Sequence, residues 1–152
     1  MTINVPKDQP CPHCGRWHGR GITVDGVVLN SFDEVLLMLR AQEPFKGYPA
    51  LPGGYLDDDE QTHVAAAREV KEETGVVVDP SHAFLIGVFD HPARHPEQAI
   101  SIAWLFRVEG RPEARVVDPE EVLDVRWVPR LQLPQLAFDH RRMVERLSML
   151  GL

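Results

Sequence analysis

The stretch from Gly54 to Val76 reads Gly-Tyr-Leu-Asp-Asp-Asp-Glu-Gln-Thr-His-Val-Ala-Ala-Ala-Arg-Glu-Val-Lys-Glu-Glu-Thr-Gly-Val. Within it, Glu69, Glu72 and Glu73 follow the spacing i, i+3, i+4, which gathers three carboxylates within an arc of about 100° on a helix. Like charges on neighbouring helical positions destabilise the helix unless something offsets their repulsion. A hard divalent cation would offset it, because Mg²⁺ prefers carboxylate oxygens and commonly bridges to substrate phosphates.

The rest of the stretch fits the same helix, which is predicted from about Thr62 to Thr74. The side opposite the glutamates is apolar and suits a buried face, formed by Ala66, Ala67 and Val70. Gly75 is placed to end the helix in the left-handed conformation. The acids from Asp57 to Glu60 are candidates for the N-cap and suit the positive end of the helix dipole.

These residues resemble the box of the Nudix hydrolase family, Gly-x5-Glu-x7-Arg-Glu-U-x-Glu-Glu-x-Gly-U with U aliphatic. The matching residues are Gly54, Glu60, Arg68, Glu69, Val70, Glu72, Glu73, Gly75 and Val76. The preceding Leu51-Pro52-Gly53-Gly54 resembles the usual lead-in of that box. A solvated acidic helix face is the alternative interpretation of a charge run, but it does not explain the fixed spacing of both glycines and the arginine.

The resemblance implies a metal site that holds Mg²⁺ or Mn²⁺. Glu69 and Glu73 correspond to the main ligands, and Glu72 joins or shares them. Gly53 lies where relatives often offer a backbone carbonyl to the metal. Glu60 corresponds to a residue that ties the box loop to the helix, and a metal contact from it stays open.

The resemblance also implies the catalytic residues, which are Glu73, Glu72, Glu69 and Arg68. Arg68 corresponds to the arginine that orients the acids by ion pairing. The general base is the least transferable role, and its candidates are Glu97 in a polar loop and Glu120 or Glu121 before the last strand. Glu121 also lies where many relatives place a further metal ligand. An exposed loop carboxylate is the alternative for all three.

In the family, water attacks a phosphorus atom and a phosphoanhydride of a nucleoside diphosphate linked to a further group breaks. A proline at the spacing of Pro92 from the box marks the ADP-ribose pyrophosphatase subgroup. Phe89-Asp-His-Pro-x-Arg94 and Leu136-Ala-Phe-Asp-His140 resemble further segments of ADP-ribose-directed domains. The chain has Glu97-Gln-Ala where relatives often continue with Arg-Gly-Arg or Arg-Gly-His.

The resemblance therefore favours ADP-ribose as the substrate, with AMP and ribose 5-phosphate as products, and Pro92 and Arg94 as substrate-binding candidates. Simple turn rigidity is the alternative role of the proline. The second candidate activity is a nucleoside triphosphate pyrophosphohydrolase, including sanitation of oxidised dGTP. A non-catalytic ADP-ribose sensor is the alternative from another class, but such domains have an eroded box. The aromatic candidates for stacking on the base are Phe32, Phe45, Tyr48, Phe89 and Trp104.

The pattern of alternating and apolar segments predicts an α+β domain. Predicted strands cover 22–29 and 34–40, joined as a hairpin, and then 76–79, 83–89, 99–108 and 123–128. An amphipathic helix is predicted from Phe138 to Leu150, with Met143 and Leu147 in its apolar stripe. The resemblance narrows this class to an α/β/α sandwich with a mixed sheet, one central box helix and a C-terminal helix, within a single domain of residues 20–152.

An N-terminal arm of residues 1–19 precedes that domain and contains Cys11-Pro-His-Cys14 and then His18. Two cysteines at this spacing are half of a zinc ribbon, and a histidine could add a nitrogen ligand. A closed four-ligand site would need two histidines or a second chain. A thiol pair in an unstructured arm and the remnant of a lost ribbon are the alternatives to structural Zn²⁺.

Charge and the N-terminal sequence indicate which partners and which location to expect. The net charge of −7 disfavours a nucleic-acid duplex or an anionic membrane as the primary partner. The N-terminus lacks the basic and apolar segments of a signal peptide, so a cytoplasmic location is the default expectation. A small nucleotide substrate is compatible with the charge if metal ions neutralise the acids of the site. The resemblance to ADP-ribose-directed relatives also suggests a homodimer.

Overall fold

The computed structural model describes residues 9–15 and 19–152. The strands are β1 (Ile22–Leu29), β2 (Glu34–Arg40), β3 (Pro49–Ala50), β4 (Gly53–Tyr55), β5 (Phe84–Phe89), β6 (Ile100–Arg107) and β7 (Val122–Pro129). The α-helices are α1 (Thr62–Thr74) and α2 (His140–Met149). No helix in the described ranges is long and apolar enough to cross a membrane.

The sheet is mixed, and its central pair is parallel. β1 pairs with β6 in parallel over its whole length, from Ile22 opposite Ile100 to Leu29 opposite Arg107. All other pairs are antiparallel, and the main strand order is β3-β2-β1-β6-β5, with β4 added to β1 and β7 added to β2. The predicted mixed sheet is therefore confirmed.

The predicted hairpin of β1 and β2 is wrong in its pairing. The two strands meet only beside the turn, where Leu29 lies opposite Val35. Beyond that point β1 pairs with β4, while β2 pairs with β3 and β7. The strands diverge because each finds its partners far away in the chain, and this divergence opens the space that the site occupies.

The two helices cover opposite faces of the sheet. Alternate residues of β1 serve the two cores, because successive side chains of a strand point to opposite faces. Val24 and Val28 pack with Ala66 and Val70 of α1. On the other face, the core of α2 contains Val27, Leu29, Leu37, Leu105, Met143 and Leu147. This arrangement confirms the α/β/α sandwich.

Helix α1 has the predicted bounds, but its N-cap differs from the prediction. The cap is Gln61, whose side chain makes no capping hydrogen bond. Two of the acids before it, Asp57 and Glu60, form ion pairs with Arg68 instead. At the other end Gly75 adopts φ 73° and donates its N–H to the carbonyl of Lys71, as predicted.

Two further predictions are corrected. Residues 76–79 form no strand, because Val76 and Val78 turn into the core beside α1 and no neighbouring strand pairs with them. Helix α2 begins at His140 and not at Phe138, because Phe138 adopts φ 51°, which a helix does not accept.

We expect Gly26→Ala to destabilise the protein by about 1–3 kcal/mol, the usual cost of overpacking a core. A Cβ at position 26 would lie 2.6 Å from Cγ2 of the buried Val70 and would push α1 away from β1. Urea unfolding measures the change. Gly19→Ala is the matched control, because no atom of the described residues, its chain neighbours aside, lies within 4 Å of its Cβ. An equal cost for Gly26→Ala in a Val70→Ala background would contradict this explanation.

Candidate active site

A cavity of about 440 Å³ opens where β1, β4 and α1 meet the loop of residues 90–98. Its floor includes Asp25 from β1 and the backbone of Gly53 and Gly54 from β4. Two glutamates of α1, Glu69 and Glu73, also line the cavity. Residues of the predicted box therefore form part of the wall of this cavity.

Glu69 and Glu73 are both buried although they are acids. Glu73 is 4% exposed, and its Oε2 accepts the N–H of Gly53 at 2.9 Å. Glu69 is 9% exposed and lies directly against Gly54, where an added Cβ would come within 2.5 Å of its Oε1. Glycine at position 54 therefore leaves the space that the carboxylate of Glu69 occupies, and a larger residue there would displace that carboxylate.

Burial disfavours the ionised form of both carboxylates. It raises the pKa of Glu73 well above the ordinary value, and the charges of Glu69 and Glu121 add to that effect while the N–H of Gly53 opposes it. Burial also raises the pKa of Glu69, against the opposing charge of Arg68. Two adjacent acids with raised pKa values are stabilised in their ionised form by a nearby cation.

Arg68 holds the acids of α1 and the loop before it. Its Nη2 and Nε donate to the carboxylate of Glu60 at 2.6 and 3.0 Å. Its Nη1 donates to Glu69 at 2.9 Å and to Glu72 at 3.0 Å. Glu60 also accepts the N–H of Asp57 at 3.0 Å and thereby joins the loop to the helix. These bonds give Arg68 and Glu60 the geometry that their predicted roles need.

The structure separates Glu72 from the other two glutamates. The side chain of Glu72 is 57% exposed and does not line the cavity. Within residues 9–15 and 19–152, no three His, Cys, Asp or Glu side chains lie close enough to hold a metal ion as they stand. The roles of Glu72 and Glu60 as metal ligands therefore stay predictions.

The residues present nevertheless fit a divalent cation. Mg²⁺ needs only one or two carboxylates from the protein and completes its coordination with waters and substrate oxygens. Glu69 and Glu73 supply two buried carboxylates, and Glu121 also lines the cavity and affects the pKa of both. The coordination by the Gly53 carbonyl stays a prediction.

A buried network under the cavity was not identified from the sequence. The Oγ of Ser101 donates a short hydrogen bond to Oδ2 of Asp25, and Nε2 of His140 lies 3.3 Å from Oδ1 of Asp25. The N–H of Leu51 donates to Nδ1 of His140 at 3.0 Å, which leaves Nε2 as the protonated nitrogen that faces Asp25. Burial would raise the pKa of Asp25, but His140, Ser101 and the charge of Arg94 together lower it.

The loop of residues 90–98 is fastened at both ends by Arg20. Its Nη2 donates to the carbonyl of Asp90 at 2.7 Å and its Nε to that of Gln98 at 2.6 Å. Inside the loop, Glu97 lines the cavity and accepts the hydroxyl of Tyr55 at 2.6 Å. That hydrogen bond raises the pKa of Tyr55 to about 12, with smaller contributions from burial and from the charge of Glu97.

The two predicted substrate contacts in this loop differ in their surroundings. Arg94 lines the cavity, but its guanidinium donates to both carboxylate oxygens of Asp139 at 2.8 to 3.1 Å and to the carbonyl of Ala99 at 3.2 Å. It therefore anchors the loop to the start of α2. Pro92 is exposed, begins a short 3-10 turn and does not line the cavity. Neither contact with substrate is tested by this arrangement.

The aromatic wall of the cavity differs from the sequence-based candidates. It is formed by Phe138, which stacks against His95 with ring centroids 5.3 Å apart and planes inclined by 10°. Phe45 also packs against Phe138, with centroids 4.8 Å apart and ring planes inclined by 59°. Trp104 lies beside α1, where its Nε1 donates to Thr62, and does not line the cavity.

The cysteine arm is only partly described. Cys11 and Cys14 are free thiols, and hydrogen bonds from the backbone of His13 and of Cys14 lower the pKa of Cys11. His18, the third candidate ligand, lies outside the described residues. The predicted zinc site stays a prediction.

Comparison with known proteins gives a consistent family signal. A family model described as the NUDIX domain matches residues 19–147. The chain is 34% identical over 125 residues to an ADP-ribose pyrophosphatase of Methanocaldococcus jannaschii. This match covers 82% of this chain and 70% of the relative. The chain is also 31% identical over 126 residues to the NAD-capped RNA hydrolase NudC of Stutzerimonas stutzeri, covering 83% of this chain but only 43% of that protein.

The fold comparison agrees. The NUDIX domain of NrtR from Shewanella oneidensis, solved in complex with ADP-ribose, superposes with a TM-score of 0.78 and 26% identity. The match covers 93% of this chain and 94% of that domain.

We expect Glu73→Gln to stabilise the metal-free protein at neutral pH. Because the pKa of Glu73 is raised in the folded state, stability falls as pH rises above the unfolded value, by about 1.4 kcal/mol for each pKa unit. The variant removes this loss, so its advantage in EDTA is present at pH 8 and absent below pH 4. Thermal melts across this range measure it. Added Mg²⁺ should stabilise the wild type more than the variant.

The matched control for that measurement is Glu72→Gln. Its side chain is mostly exposed, so its melting temperature should stay close to that of the wild type in EDTA. A Glu73→Gln protein that is less stable than the wild type at pH 8 without metal would contradict the burial argument.

Proposed function

The chain belongs to the Nudix hydrolase family, and on that premise we propose that it hydrolyses ADP-ribose to AMP and ribose 5-phosphate with Mg²⁺ or Mn²⁺ as cofactor. The observation that carries the hydrolase chemistry is the pair of buried carboxylates, Glu69 and Glu73, at the wall of the cavity. Acids in that position cost stability in the absence of a cation. Their placement is explained by a site that gathers metal and phosphate.

The substrate is supported by two relatives. One is the archaeal ADP-ribose pyrophosphatase, and the other is the NrtR domain solved with ADP-ribose. The cavity of about 440 Å³ falls in the range of sites for small molecules. Phe138 and Tyr55 line the cavity and give it aromatic surface beside the acids.

The chain's own residues would divide the work as follows. When bound, the cation neutralises phosphate oxygens and lowers the pKa of water. Glu69 and Glu73 would hold it, and Arg68 and the N–H of Gly53 fix the orientation of these carboxylates through hydrogen bonds. Beneath them, His140 holds the backbone at Leu51 in place.

In the reaction, the oxygen of a water molecule forms a bond to phosphorus, the bridging P–O bond breaks, and a carboxylate accepts the proton of the water. We propose Glu97 for this last role. It lines the cavity on a loop that Arg20 fastens at both ends, so its position is defined. Glu121 affects the pKa of both Glu69 and Glu73, and proximity to these two acids suits a further metal ligand.

A triphosphate pyrophosphohydrolase is the second candidate activity, because the family chemistry is the same and a relative from Bacillus subtilis, 29% identical over 116 residues, is described as a putative 8-oxo-dGTP diphosphatase. The alternative from another class is a non-catalytic sensor, which would bind ADP-ribose in the same cavity without hydrolysing it. The metal preference and the expected homodimer are likewise proposals for this chain.

The substrate is tested by measuring turnover and products for ADP-ribose, NADH, Ap4A, dGTP and 8-oxo-dGTP with Mg²⁺ and with Mn²⁺. We expect ADP-ribose to give the highest kcat/KM and to release AMP. Glu73→Gln should lower kcat/KM about a hundredfold or more. Loss of a residue that only hydrogen-bonds to a metal ligand typically lowers metal affinity or activity 10- to 100-fold, and loss of a ligand should cost at least as much. Preference for a triphosphate would overturn the substrate proposal. Tight ADP-ribose binding without turnover in the wild type would favour the sensor.

The general base is tested by Glu97→Gln, which should lower kcat by about 10²- to 10⁴-fold at saturating substrate and metal. Glu121→Gln should mainly raise the Mg²⁺ concentration needed for half-maximal activity. Tyr55→Phe keeps the carboxylate and should cost about tenfold or less, because one hydrogen bond contributes about 0.5–1.5 kcal/mol. A wild-type kcat for Glu97→Gln would show that the base lies elsewhere.

A further inference from the structure

Arg40 ends β2 on the cavity wall formed with Gln42, Glu43 and Pro44. It is half-buried, its Nε donates to the carbonyl of Pro44 at 2.8 Å, and its Cζ lies 5.1 Å from the centroid of the Phe138 ring. These two contacts hold the guanidinium over an aromatic face. They also leave both Nη nitrogens available for a ligand.

We infer that Arg40 binds a phosphate group of the substrate through its Nη nitrogens. The inference rests on the proposed function only in requiring a phosphorylated substrate, and it does not depend on which group the phosphates carry. Arg40 matched no fixed position of the box and was not among the sequence-based candidates.

The charges around the cavity single out Arg40. The acids that line it include Asp25, Glu69, Glu73 and Glu121. Only two arginines line the same cavity in the described chain, and Arg94 is already bonded to Asp139 and Ala99.

Arg40, in contrast, has no partner of opposite charge. It forms no ion pair within residues 9–15 and 19–152, and neither Nη donates to an acceptor there. Burial lowers the pKa of Arg40, although the charges of Glu73, Asp25 and Glu121 oppose that effect. A desolvated cation without a partner is costly, and a ligand anion removes the cost.

The chemistry of the side chain matches a phosphate. A guanidinium presents two parallel N–H donors in a rigid plane that match two phosphate oxygens, whereas an ammonium is a compact charge without such a planar pair. The bond to Pro44 and the Phe138 ring fix the plane of the group before the ligand arrives, so little rotamer freedom is lost on binding. A diphosphate could therefore be held from two sides, by the cation at Glu69 and Glu73 and by Arg40.

The test uses inorganic pyrophosphate as the probe and calorimetric titration of the full chain with Mg²⁺ present. We expect Arg40→Ala to weaken pyrophosphate binding by about 10- to 100-fold, the range for hydrogen bonds to charged groups. Arg40→Lys keeps the charge but loses the paired donors, so its affinity should lie between the two. The affinity of the wild type should also fall more steeply with salt than that of Arg40→Ala.

Arg126→Ala is the matched control. It removes the same charge from an exposed arginine of β7 that pairs with Asp124 and does not line the cavity, and it should leave pyrophosphate affinity within about twofold. A lowered melting temperature identifies any variant that is destabilised by loss of the hydrogen bond from Arg40 to the carbonyl of Pro44. A folded Arg40→Lys variant then carries the comparison, because a purely structural role predicts wild-type pyrophosphate affinity for it, whereas loss of the paired donors predicts weaker binding.

The outcomes separate this inference from the proposed function. Equal pyrophosphate affinity and equal salt dependence in the wild type and Arg40→Ala would overturn the role of Arg40, even if ADP-ribose is turned over. Failure of the wild type to bind pyrophosphate would also overturn it. Weakened binding in Arg40→Ala would support it even if the preferred substrate proves to be a triphosphate.

Discussion

The close approach of helix α1 to strands β1 and β4 is the constraint on which the rest of the structure depends. Two positions without a side chain make it possible. A methyl group of Val70 packs against Gly26 on the face of the sheet, and the carboxylate of Glu69 packs against Gly54. The first contact is apolar and belongs to the core, whereas the second brings a charge to the cavity. The same packing therefore stabilises the sandwich and places the acids.

That approach has an electrostatic cost, which Arg68 offsets only in part. It pairs with Glu69 but makes no hydrogen bond to Glu73, whose single protein donor in the described chain is the N–H of Gly53. Unsatisfied charge is thus concentrated at one side chain. Natural sites commonly trade stability for function in this way, because a ligand that cancels the charge then binds more strongly. The geometry of Glu73 suits a site completed by its ligand.

The sequence predicted local features better than distant contacts. The bounds of α1, its glycine terminus and the burial of its apolar side follow from spacing within about four residues, which pattern analysis detects. Val76–Asp79 looked like a strand by composition, but strand formation needs a partner, and none pairs with it in the described chain. Asp25 with His140, and Arg40 with Phe138, are each brought together by the fold across about a hundred residues. No local periodicity reports such pairs.

The bonds of Arg20 to the loop of residues 90–98 bear on how the protein can be shortened. The cysteine arm is an obvious segment to remove, since its thiols invite oxidation during purification. Arg20 lies immediately beyond that arm and closes the loop that carries Glu97. A truncation that starts after it would keep every strand and both helices while releasing a wall of the cavity. Truncated forms should therefore begin at or before Gly19.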